Sequence, residues 1–173
     1  MPAVSPDEPT GPDLDGVVID ANAVGLDYVV IGGFSVIYHG YVRATKDSDL
    51  LVPDGPKTDA AVLRFLQRVD ARRLRDGKIL TPEDVANTHH LRIHSRHGII
   101  DIMRGGLPPL DYDTVAQSAE HLEVDGQQAP VAALPSLVGF KRLAGRLQDQ
   151  LDLSKLEAIH GPLPTDPIPG LDT

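Results

Sequence analysis

The chain has 173 residues, of which 41% are hydrophobic and 24% charged, with no cysteine and a formal net charge of −9. Such a chain suits one folded domain with an ordinary core. The composition excludes disulfides and thiolate-held metals and argues against a whole surface that grips nucleic acid non-specifically.

No basic-then-apolar leader opens the chain, and no apolar run approaches the ~20 residues a membrane helix needs, so a cytoplasmic protein with no membrane contact is expected. The charge is uneven. Arg64 to Arg104 holds nine Lys/Arg against five Asp/Glu, whereas residues 105–173 hold ten acids against four bases. That basic middle suits an anionic substrate, and it equally suits a solvated helix face.

The proline- and acid-rich opening "MPAVSPDEPTGPD" reads as a disordered tail over residues 1–13. "LDGVVIDANAVGL" predicts a helix stopping near Gly25, and "YVVIG" a fully apolar central strand. After Gly32-Gly33, "FSVIYHG" has helical apolar spacing, and "DSDLLV" is a strand closed by Pro53. "TDAAVLRFLQRVDARR" predicts an amphipathic helix with Thr58 as its N-cap.

"HLRIHS" and "GIIDIM" form a hairpin across "RHG". "DTVAQSA" is a short helix, and "HLEVDGQQAPVAAL" two strands turning at Asp125-Gly126. Pro135 opens a helix through "SLVGFKRLAGRL", and a last helix covers "LDLSKLEAIH" up to Gly161. The expected fold is α+β, a small mixed sheet flanked by helices. Its expected parts are a core over 14–134, a helical C-terminal portion over 135–161 and a proline-rich tail over 162–173.

Asp47 and Asp49 occupy alternate positions of one strand, so their carboxylates share a face. Like charges that close repel unless a cation lies between them, and hard oxygen ligands suit Mg²⁺. Asp101 interrupts an apolar strand, where a carboxylate needs a metal, a base or a donor. If the two strands are neighbours, three carboxylates meet in a ligand set for one or two divalent ions. Glycines at the turn from strand to helix, Gly32 and Gly33, let backbone N–H groups approach phosphate, with Ser35 adding a hydroxyl.

Together, "VIGGFSVIYHGYVRATKDSDLLV", "GIIDIM" and "LPSLVGFKRLAGRLQDQLDLSKLE" resemble the polymerase-β-like nucleotidyltransferases, and more narrowly the AbiEii/MenT group of nucleotidyltransferase toxins. The resemblance runs from Tyr28 to His160. It implies that Asp47 and Asp49 bind metal, that Asp101 is the third carboxylate, and that two Mg²⁺ ions serve as cofactor. Gly32 and Gly33 would then meet the triphosphate, Arg43 the phosphate or the nucleic acid, and Lys141 the departing pyrophosphate. Asp152, or Asp149 one turn earlier, would be the acid of the last motif, orienting Lys141 or the nucleotide.

Many relatives carry serine where Gly33 stands, which leaves Ser35 as the hydroxyl for that role. The implied reaction moves NMP from an NTP, pyrimidine nucleotides among the candidates, to the 3′ end of tRNA. A cognate antitoxin would be the protein partner. Two rival readings are a relative that modifies a small molecule or a protein, and a catalytically silent binding or antitoxin-like subunit. The histidines of "HHLRIHSRH" lack the helical spacing of a zinc site and receive no role. Arg142 and Arg146 add at most to a basic patch around Lys141.

Overall fold

In a computed structural model the chain is described over residues 11–172. The first ten residues of the acidic opening therefore lie outside the described residues. The elements in chain order are α1 (Leu14–Ala23), β1 (Val29–Ile31), α2 (Gly32–Tyr38), β2 (Asp47–Val52), α3 (Pro56–Arg68), β3 (Arg72–Arg73) and α4 (Pro82–Asn87). They continue as β4 (His90–Ser95), β5 (Gly98–Arg104), α5 (Tyr112–Ser118), β6 (Glu120–Val124), β7 (Gln127–Val131), α6 (Leu134–Ala144) and α7 (Leu147–His160). None of these helices is long and apolar enough to cross a membrane.

The strands form one mixed sheet of seven, ordered β3-β4-β5-β2-β1-β7-β6. The expected α+β architecture is the observed one. The β1–β2, β3–β4, β4–β5 and β6–β7 pairs are antiparallel, and the β2–β5 and β1–β7 pairs are parallel. The β4–β5 connection uses only Arg96 and His97, so Ser95 pairs with Gly98 and Arg92 with Asp101. At the β6–β7 turn Asp125 and Gly126 both take positive φ, 47° and 76°. That is the conformation a two-residue hairpin turn requires.

Alternation along the strands sends the two sets of side chains to opposite faces. Leu50, Val52, Ile100, Ile102, Leu91 and Ile93 pack with Val17 and Val18 of α1 and with Val62, Phe65 and Leu66 of α3 in the main core. Val29, Ile31 and Leu51 face the other way, toward Val115 of α5 and Phe140 of α6. Central strands covered on both faces must be apolar throughout, which is why β1 reads Val-Val-Ile and is wholly buried.

Three local features depart from the expectations. The N-cap of α3 is Gly55, with Pro56 in the first turn, and Thr58 is a buried residue inside the helix. Proline at the first turn gives up only an N–H that the helix leaves unpaired, so it displaces Thr58 as the start signal. Helix α7 begins at Leu147, four residues before the expected start. Gly145 in the left-handed conformation ends α6, and the Asp149 carboxylate accepts from the Arg146 backbone N–H. The short elements β3 and α4 carry no hydrophobic period, and α4 is set by the reciprocal Thr81–Asp84 cap.

Candidate active site

The parallel register of β2 and β5 places Asp49 directly beside Asp101, with Asp47 two residues away on the same face. One oxygen from each of Asp47, Asp49 and Asp101 lies within 4.8 Å of the others. The three carboxylates inferred from sequence therefore converge. Asp101 is buried and the other two are half-buried. Burial, then the neighbouring charges of Asp47 and Asp101, push the Asp49 carboxyl up to about 8, against a smaller pull from Lys141. Burial and Asp101 raise Asp47 as well, with Arg92 opposing. A cluster that resists full ionisation is one that a divalent cation would relieve.

The cluster lines a cleft of about 230 Å³ together with Ile31 and Gly32, His90 and Arg92 of β4, and Phe140, Lys141, Arg146 and Asp149 of the C-terminal helical region. Gly32 has a φ of 69°, and a β-carbon built on it would fall into the Asp49 carboxylate. Only glycine meets both demands. Gly33 is closed differently, because a β-carbon there would strike the Thr45 side chain. Thr45, rather than Ser35, thus places its hydroxyl beside Gly33. Ser35 is fully buried on α2, its hydroxyl has no hydrogen-bond partner, and it does not line the cleft.

Lys141 enters from α6 and is buried. Its Nζ lies 3.0 Å from Asp149 Oδ1 and 2.8 Å from Asp152 Oδ2. Asp149 and Asp152 therefore both hold the lysine, and they differ in what else they hold. Asp152 accepts from Arg43 Nε and Nη2, each at 2.8 Å, and from Gln148 Nε2. Asp149 accepts from Arg146 Nε at 2.7 Å. Burial works against both carboxylates being charged, but the bonds from Arg146 and Lys141 outweigh it at Asp149 and hold it near 2. Bonds from Arg43, Lys141 and Gln148 likewise keep Asp152 low.

Asp149 faces the cleft and Asp152 does not. Arg43 also stands back from it: its Nη1 donates to Ala44 O and its other nitrogens to Asp152. Its place is behind Lys141, as the brace that ties the β2 approach to α7.

Two residues of the cleft have no place in the sequence reading: His90, which receives no role there, and Arg92. His90 Nε2 lies 2.9 Å from Asp101 Oδ1, and Arg92 Nη1 lies 2.7 Å from Asp101 Oδ2 and 3.4 Å from Asp47 Oδ2. The signal was present in the two-residue turn at Arg96-His97, which sets Arg92 opposite Asp101 and, by alternation, His90 on the same face. His97 has a structural task on the other side of the hairpin, joining Arg68 and Arg96 around the buried Asp20.

No family model and no curated protein matches the chain. Among solved structures, it is similar to an antigenic nucleotidyltransferase-like protein from Paracoccidioides brasiliensis. The identity is 13%, the match covers 86% of this chain and 77% of that one, and the TM-score is 0.49. A likeness of that degree says nothing about chemistry.

Proposed function

We propose that the cleft transfers a nucleoside monophosphate from an NTP to an acceptor hydroxyl, with release of pyrophosphate. The observation that carries this reading is the convergence of Asp47, Asp49 and Asp101, oxygens within 4.8 Å, in a cleft that Lys141 and Arg146 also line. The donor set fits Mg²⁺: it consists of hard oxygens, and two of its carboxyls have raised affinity for protons in the absence of a cation.

Asp47, Asp49 and Asp101 would hold one or two such ions, which supply polarisation of the α-phosphate, a more acidic acceptor hydroxyl and charge stabilisation on the leaving group. Gly32 keeps the Asp49 carboxylate open by having no side chain, and with Gly33 it would leave the backbone free to approach the triphosphate. Lys141 has three N–H donors and spends two on Asp149 and Asp152. The third is available for a phosphate oxygen, and the two acids would keep the ammonium charged and aimed. Arg146, three-quarters exposed, would meet the outer phosphates.

The motif order from Tyr28 to His160 supports the narrower reading of a toxin that acts on the 3′ end of tRNA and is held in check by an antitoxin. The net charge of −9 favours the other acceptor class, a small molecule or a protein. Incubation with Mg²⁺, each α-³²P-labelled NTP and total RNA separates them. Label in tRNA that disappears with Asp49→Ala is the expected result. Label confined to protein would remove the tRNA acceptor, and no transfer to any acceptor would remove the reaction.

A further inference from the structure

Both oxygens of Asp101 are engaged, Oδ1 by His90 and Oδ2 by Arg92. The same Arg92 nitrogen also reaches Asp47 Oδ2, at 3.4 Å. One guanidinium N–H group therefore lies against an oxygen of each of two of the three carboxylates. Mg²⁺ takes carboxylate oxygens at about 2.1 Å, and a fixed positive group on the same oxygens both blocks and repels it. Arg92 is poorly tied down otherwise. Its side chain is 45% exposed, and no other side chain holds it among the described residues.

It also lines the adjoining groove formed by Arg73, Leu74, Arg75 and Leu80, which shares His90 and Arg92 with the cleft. The Arg92 side chain thus borders both spaces, the cleft and the groove beside it. The neighbouring cations are held elsewhere: Lys141 by Asp149 and Asp152, Arg146 by Asp149.

The geometry points to Arg92 as a displaceable internal counter-ion that occupies the carboxylate cluster when no metal is bound and must withdraw for the divalent ion to enter. This rests on the metal-dependent reading of the same cleft. A ligand that must expel a bound group has its apparent affinity lowered by the strength of that group's hold. Ion pairs as exposed as this one are modest, so the effect is modest too.

The test is calorimetric titration of the purified chain with Mg²⁺ alone, wild type and variants compared in one buffer at several pH values, so that proton competition is seen and held equal. Arg92→Ala and Arg92→Gln should bind Mg²⁺ about 3- to 10-fold more tightly than wild type, with unchanged thermal melting in EDTA to confirm the fold. Arg146→Ala removes an equal charge from the same cleft without freeing any oxygen of the cluster, and should tighten binding less. Weaker or equal Mg²⁺ binding by the Arg92 variants, or an equal gain in Arg146→Ala, overturns the inference. Absence of any Mg²⁺ binding that Asp49→Ala abolishes would instead overturn the metal-dependent reading itself.

Discussion

Asp49 shows how a single side chain can be costly to the fold and useful to the site. Its carboxyl stands at about 8 in the folded chain, whereas in an unfolded chain it would stand near 3.9. Between those values the folded state keeps a proton that the unfolded state has released, so stability falls as pH rises toward 8 and is unaffected by this group below about 4. Asp47 shifts in the same direction and adds to the trend. Thermal melts in EDTA across that range should therefore show wild type losing stability with rising pH. Asp49→Asn should show a flatter profile and a higher melting temperature at the alkaline end. A wild-type profile that rises or stays level would mean that the carboxylates are already neutralised by Arg92, Lys141 and Arg146.

The residue scale also shows what was legible. The D-x-D pair and the isolated Asp101 were visible because a carboxylate in an apolar strand breaks a pattern. His90 receives no role in the sequence and Arg92 is not singled out, since polar residues on an alternating strand look like a solvent face until the opposite strand is known.

The β4–β5 hairpin sets the site, because its register brings Arg92 and His90 to Asp101. Its turn is anchored at a distance by Asp20 of α1. The Asp20 carboxylate accepts from Arg68 Nε and Arg96 Nη2, each at 2.8 Å, and lies 2.6 Å from His97 Nε2. Burial would raise this carboxyl, but bonds from Arg96, His97 and Arg68 outweigh it and leave it near 2. Its contribution is present above the unfolded value of about 4 and is lost as pH falls through about 2. Asp20→Asn should destabilise the chain by about 1–3 kcal/mol at pH 7, discounted because two of its partners are half-exposed. Urea denaturation at descending pH should find that gap closing. A constant gap would mean that Asp20 acts through packing alone.

Helix ends were the least legible elements. Thr58 has the chemistry of a cap, yet Pro56 starts α3 two residues sooner, and the start of α7 depends on where Gly145 ends α6.

At the scale of the whole molecule, the C-terminal helices supply the wall that turns one face of the central strands into a cleft. They are covered in turn by the stretch after α7. Ile168 is buried close to Gly139, and Arg142 donates to Asp172 Oδ1 at 2.6 Å and to Asp166 O at 3.2 Å. Shortening Ile168 to alanine should cost about 2 kcal/mol in urea denaturation, at the low end for a buried aliphatic side chain because it packs at the edge of the fold. Mg²⁺ affinity should stay the same, since the contact is with the face of α6 away from the carboxylates. A shift in Mg²⁺ affinity would show that the stretch helps place Lys141.

The residues themselves determined which groups had to find partners. Alternation on β2, an acid within an apolar β5 and glycines at the β1–α2 turn follow from local periodicity and side-chain chemistry, and both are written in the order of the chain. Only the tertiary structure decided what those partners are. That β2 and β5 run parallel with Asp49 beside Asp101 and that Arg43 braces α7 join segments dozens of residues apart, and that Asp149 and Asp152 share Lys141 joins two separate helices. Contacts of that kind are selected by how faces pack into a common core, and one segment read alone carries no record of the face it will meet.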